Sequence, residues 1–311
     1  MPNVTQLRKA GADATRLSAA QNRAERAVKN SFSHIRDSLN LDEVRRQLNF
    51  FNYEGAIDAV VTPFHSIGDS MVQVYLNAAQ EFTENIGQQI GQHVTFNPAQ
   101  PRAVQDMRNL RAFFVQDLNA TMRDAVRSVV MRGLQNNWDI ERMLRGMVDA
   151  VGLTARDLVA IENYRQGIMR GETRRLLETS VRDQRYDRSV LSGTAADRHL
   201  ERMVAAKERL TRQISLTRLA QTEGLRAINM GRDALLTQLI DLGVVLSENV
   251  QRTWYAVGDP KTRDTHAAQS GETRGKNEEF SNGLMYPGDP NGAASEVVNC
   301  RCWLQFDVQP K

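Results

Sequence analysis

The only two thiols in 311 residues sit two positions apart, as Cys300-Arg301-Cys302. The run from Glu296 to Phe306 is predicted to be a strand. Side chains two apart on a strand share a face, so both thiols project together with Arg301 on the other side. Two thiolates on one face supply half of a tetrahedral metal site with the soft donors that zinc accepts. His266, in Arg263-Asp264-Thr265-His266, offers an imidazole, and Asp259, Asp264 or a water can complete the set. Structural zinc usually draws on two close cysteine pairs, and this chain has one. Two plainer readings stay open: a buried reduced pair that packs as small hydrophobes, and a strained disulfide between near neighbours. A catalytic dyad of His266 with either cysteine has no local signature here. Arg263 and Asp264 are expected to order their loop by local hydrogen bonds rather than act on a substrate.

These residues need elements to hold them. Gln251 to Val257 is predicted to be a strand, and Gly258-Asp259-Pro260 ends it with turn chemistry. Between the two strands lie many Gly, Asn, Asp and Pro residues, including Tyr286-Pro287-Gly288-Asp289-Pro290-Asn291-Gly292. Residues 246–311 therefore read as a small, loop-rich α+β module, a kind of domain with so little apolar mass that a metal staple would help it.

The rest of the chain is predicted to be helical. No Pro occurs between Pro101 and Pro260 and aromatic residues are few, which a many-turned β fold would hardly tolerate. Val104, Met107, Leu110, Phe114, Leu118, Met122, Val126 and Val129 recur every three or four residues, one long core-forming stripe. Asn137 to Val151 and the stretch after Leu153 form two helices across Gly152, with Thr154 as N-cap of the second. Residues 156–190 are expected to continue as charged helix. Asp197 to Asp241 is another long helix that buries Ile214, Leu216, Leu219, Leu225, Ile228, Leu235 and Leu239, and Gly224 and Gly231 inside it imply close packing. Towards the N-terminus, Thr15 to Asn40 reads as a helical arm. Asn40 caps a short helix through Phe50 with Glu43 at its third position. Helix resumes from Tyr53 to His93, interrupted near Pro63, before a turn at Phe96 to Pro101. The fold expected is mainly α: an elongated body of long amphipathic helices with a small C-terminal α+β module. Its regions are an N-terminal helical arm of unknown role (1–100), a helical body (101–245) and the module (246–311).

Net charge is only +3, yet residues 101–240 carry 24 Lys+Arg against 17 Asp+Glu, and 34 of the 40 basic residues are Arg. That local excess permits contact with phosphates, with Arg182, Arg185 and Arg188 as candidates. It is equally what interleaved charges on solvated helix faces look like. No block of basic residues resembles a DNA-binding arm. No run reaches the roughly 18 apolar residues of a membrane span, and the N-terminus lacks the apolar core of a signal peptide, so folding in a cytoplasm is expected.

Trp254, Asp259, Thr262-Arg263-Asp264-Thr265-His266, Gly271, Tyr286-Pro287-Gly288-Asp289-Pro290 and Asn299-Cys300-Arg301-Cys302, in this order and spacing, resemble the phage Mu F-like head morphogenesis family, the minor head proteins of tailed phages. Ile161 to Gln166, Arg182 to Asp187 and Leu219 to Gly231 are similar to the helical part of such proteins, which extends the resemblance over roughly residues 150–306. Residues 1–150 match no motif. Arg263 and His266 stand where some members carry a cysteine pair, which disfavours a four-cysteine site and leaves a His/Cys site for zinc. The resemblance implies a non-enzymatic minor capsid protein, made in the host cytoplasm and recruited through the portal. It would be retained in several copies inside the virion near packaged DNA, with a part in head assembly, DNA packaging or ejection. Portal protein and other capsid proteins are the partners it implies, with packaged DNA a non-specific one and no membrane. Trp254, Asp259, Arg263, Asp264, Gly271, Pro287 and Asn299 would then be structural. The alternative is a metal-dependent hydrolase or nuclease, or a toxin-like effector, built on Asp259, Asp264, His266, Cys300 and Cys302.

Overall fold

The computed structural model describes residues 4–311, with the side chains of residues 4–10 and of Ala12 outside the described set. Ten helices come first: α1 (Val4–Asp37), α2 (Leu41–Asn49), α3 (Tyr53–Val61), α4 (Ile67–Ile90), α5 (Pro101–Gln135), α6 (Ile140–Ala150), α7 (Ala155–Met169), α8 (Thr173–Glu178), α9 (Asp187–Leu191) and α10 (Ala195–Asp241). The C-terminal part adds β1 (Val250–Tyr255), α11 (Asp264–Ala268), β2 (Thr273–Gly275), α12 (Ala294–Val297) and β3 (Trp303–Val308). The protein is thus mostly helical with a small three-stranded sheet at its C-terminal end, the fold class expected.

Short polar side chains set the helix starts. Asn40, Asn52, Asp139 and Thr154 each accept a hydrogen bond from the backbone amide three residues on, relieving a donor the helix leaves unpaired. At Thr154 the carboxylate of Asp157 reaches back to close a reciprocal box. Around Pro63, which has no backbone N–H, a 3-10 turn over Thr62–Ser66 separates α3 from α4.

Three expectations are corrected. Residues 156–190 are not one helix: α7 stops at Met169, Gly171 adopts the left-handed region at φ +67°, and after Glu178 the chain turns before α9. Ile214 is 37% exposed, outside the buried side of α10. The predicted strand from Glu296 to Phe306 begins only at Trp303; α12 occupies its start, and Asn299, at φ +56°, turns the chain there.

Two compact units form. One comprises Met1–Ser31, Ser66–Phe114 and Arg218–Lys311; the other comprises Phe32–His65 and Val115–Thr217. In the first, α10 lies close on its neighbours. A Cβ on Gly231 would sit 2.3 Å from the Tyr75 carbonyl oxygen, and one on Gly224 would sit 3.0 Å from the Ala24 Cβ. Only glycine permits that approach. The sheet, in order β2-β1-β3 and wholly antiparallel, belongs to this unit. Alternate β1 residues Val250, Arg252 and Trp254 are buried, and the Phe306 ring of β3 packs edge-on against Phe82 of α4 at 4.8 Å. The second unit is built around Leu153, Ile161, Tyr164, Ile168, Leu176 and Met203.

Candidate metal centre

The turn after Trp254 is made by glycine. Gly271, at φ +92°, donates its amide to the Trp254 carbonyl at 2.7 Å, folding the segment that carries α11 back beside β1. This lays the His266 ring edge-on against the buried Trp254 indole, 5.3 Å away, and Phe280 meets the same indole at 5.2 Å. On the other side, the left-handed backbone at Asn299 presents its amide to Thr222 Oγ1 of α10 at 2.9 Å, and the Arg263 guanidinium donates to the Val298 carbonyl. Cys300 and Cys302 are therefore delivered by a pinned turn ahead of β3 rather than by a strand.

They still converge on His266. Nδ1 of His266 lies 3.3 Å from the Cys302 sulfur and 3.6 Å from that of Cys300, and the three donor atoms all fall within 4.8 Å of one another. Each residue is at most 3% exposed. Nε2 of His266 is 2.9 Å from Glu296 Oε2, a carboxylate that also accepts from Thr265 Oγ1 at 3.1 Å. Both cysteines are free thiols. The Cys300 thiol is lowered to about 5, through hydrogen bonds from Cys302 and His266 that outweigh burial. The Cys302 thiol is pushed up by its bond to that neighbour and by burial. Burial opposes a charged His266, but the hydrogen bond and charge of Cys300 prevail and raise its pKa. A pair that readily gives up its first proton, beside an imidazole, is a donor set that could bind a metal such as zinc.

The carboxylates considered as further ligands lie elsewhere. Asp259 takes both arms of the Arg301 guanidinium at 2.6 and 2.7 Å and accepts from the Lys261 amide and the Thr262 hydroxyl, which together hold its carboxyl well below the usual range. Asp264 is exposed in the first turn of α11. Pro287 is buried, and its carbonyl accepts from Asn229 Nδ2 of α10 at 2.7 Å. Gly288, at φ +83°, approaches so closely that a Cβ there would be 3.1 Å from the Arg226 backbone nitrogen.

Sequence reasoning missed several residues that build the site: Arg252, Glu296, Thr222 and Asn229. Arg252 is 1% exposed and donates to the carbonyls of Gly275, Glu278 and Met285 at 2.5–3.1 Å, tying the loops of the module to its central strand. Its signal was a charged residue at the inward parity of β1, between Val250 and Trp254. The phosphate candidates are in the second unit. Arg182 forms a two-armed pair with Asp187 at 2.9–3.0 Å, Arg185 pairs with Asp183, and Arg188 is exposed. That unit also holds a cleft of about 790 Å³ with Arg142 stacked 4.3 Å over Trp138; Ile161, Glu162, Arg165 and Gln166 of the resemblance segment line it, but none of the candidate metal or phosphate residues does.

Fold and site together define a mostly helical protein whose small antiparallel module is fastened along one long helix and contains a buried Cys2His cluster. Residues 159–305, from within α7 to within β3, match the model of the family described as Phage Mu protein F like protein, and this stretch carries the whole cluster. The matched family is one of phage head proteins, which are generally structural. No curated protein and no solved structure matches significantly. Among the described residues no helix is long and apolar enough to cross a membrane.

Proposed function

We propose that this chain is a non-enzymatic minor capsid protein of a tailed phage that associates with the portal inside the head, in several copies, and supports head assembly, DNA packaging or ejection. The observation that carries this reading is the family match over residues 159–305, taken with how its motif residues are used. Trp254 fills the module's core, Asp259 closes a turn on Arg301, Gly271 and Gly288 supply left-handed turns, and Pro287 and Asn299 fasten loops to α10. Each of these side chains or backbone groups is committed to the module's own packing and turns, which suits a structural part. The alternative hydrolase or effector would need carboxylates free for a metal or substrate. The commitment of Asp259 to Arg301 and the burial of His266, Cys300 and Cys302 favour structural use.

Arg182, Arg185 and Arg188 are the proposed non-specific contacts to packaged DNA, with Arg188 the foremost because no ion pair of it occurs among the described residues, whereas Arg182 and Arg185 are already paired. The test is composition and position. The chain should co-purify with the portal protein and appear as density beside it in a reconstruction of intact particles. A chain recovered only as free protein and absent from purified particles would overturn the reading.

A further inference from the structure

The donor spacings of the Cys2His cluster match those that a zinc ion imposes. Zinc bound to nitrogen at about 2.0–2.1 Å and to sulfur at about 2.3 Å, at the tetrahedral angle, sets nitrogen and sulfur about 3.5 Å apart. His266 Nδ1 stands 3.3 and 3.6 Å from the two sulfurs. The imidazole is also turned as a ligand must be. Its Nε2 faces the Glu296 carboxylate, which can accept a hydrogen bond from a proton carried there and so free Nδ1, the nitrogen close to both sulfurs, to act as the donor. A carboxylate behind the imidazole fixes the tautomer and makes the ring a better donor, and here Thr265 anchors that carboxylate in turn.

We propose that His266 Nδ1 and the Cys300 and Cys302 thiolates hold one zinc ion, with Glu296 orienting the imidazole from its far side. No fourth Asp, Glu, His or Cys of the described residues joins the group, which leaves the fourth position to a donor from outside these side chains, such as water. Binding releases to solvent whatever protons the two sulfurs and Nδ1 still carry, and joins α11 to the turn that begins β3. Burial of all three ligands sets the ion inside the module, where it would act as a staple between the two segments. This inference is independent of the head assignment, since a zinc-free chain could still enter particles.

The full chain, purified under reducing conditions from zinc-replete culture, should carry about one zinc per molecule. Exchange for cobalt should give the visible bands and sulfur charge-transfer absorption of a tetrahedral thiolate site. Cys300→Ser and Cys302→Ser should each abolish the charge-transfer bands or the zinc. If those variants fail to fold, chelator on the wild-type chain should remove the cobalt bands and lower the melting temperature, and added metal should restore both. Glu296→Gln keeps all three donor atoms and should weaken zinc about 10- to 100-fold in competition with a chromophoric chelator. Zinc retained by the double serine variant, wild-type chain that takes up no zinc, or a Cys300–Cys302 disulfide in the reduced preparation would each overturn the site. Unchanged affinity in Glu296→Gln would overturn the role given to Glu296.

Discussion

Arg252 in the C-terminal module and Arg182 in the segment between α8 and α9 each hold a turn closed, in opposite surroundings. Arg252 is buried and directs its donors at three backbone carbonyls, with burial pushing its pKa down. Arg182 grips the Asp187 carboxylate and the Thr179 carbonyl near the surface, where water can replace either partner. The side chain is the same, and only the access of solvent differs. Inside the module the guanidinium is buried and organises the loops; in the second unit the pair is one of many interchangeable surface contacts.

The sharpest break of this comparison is Arg252→Ala. Removing a buried charge that satisfies several main-chain acceptors should cost on the order of 3–5 kcal/mol. Urea unfolding of the full chain, with hydrogen exchange over residues 250–308, should show that loss concentrated in the module. A loss below about 1 kcal/mol would put Arg252 in the same class as a surface arginine and end the distinction.

A smaller effect is expected where the module meets α10. Gly288→Ala puts a side chain on a left-handed residue whose Cβ would crowd the Arg226 backbone, and should destabilise by about 1–3 kcal/mol. The same readout should show exchange protection lost on both sides of this contact. Protection lost in the loop alone would mean that the loop folds independently of the helix.

How far the sequence reveals this architecture depends on the range of the forces involved. Helix caps such as Asn40 and Thr154 act across three residues, and the Val104 to Val129 stripe repeats within one helix, so both are readable locally. Gly224 and Gly231 announced close packing, though not the partners, Ala24 and Tyr75. β2 is three residues long and carries no pattern to detect. The thiols do face His266, but through a turn rather than a strand. That turn depends on the left-handed Asn299 and its contact with Thr222, 77 positions away. Glu296 likewise gains its meaning only once α12 brings it to the imidazole.

The pair Asp259–Arg301 lies between the two extremes, in the module but near solvent, and titration tests it. The folded-state pKa of Asp259 is depressed, chiefly by the Arg301 hydrogen bonds, so the stabilisation is fully present above the ordinary carboxylate pKa of about 3.9 and is lost as pH falls through the folded value. At neutral pH, Asp259→Asn should therefore be less stable than the wild-type chain, and the gap should shrink as the pH drops below about 4. A gap that stays constant with pH would assign the loss to altered loop geometry rather than to the ion pair.

The least costly change is expected at Arg182 and Arg185. The two-armed pair with Asp187 is stronger in geometry than most surface bridges, but both partners touch solvent, and Gln at 182 can keep a hydrogen bond across the turn. Arg182→Gln should change stability by less than about 1 kcal/mol, and half-molar salt, which screens exposed pairs, should shrink the difference further. Arg185→Gln, at a side chain 76% exposed, should leave the unfolding curve unchanged within error. If instead Arg182→Gln lowered stability as much as Arg252→Ala and resisted salt, the segment between α8 and α9 would be a desolvated core element. Its arginines would then be structural clamps, unavailable to any phosphate.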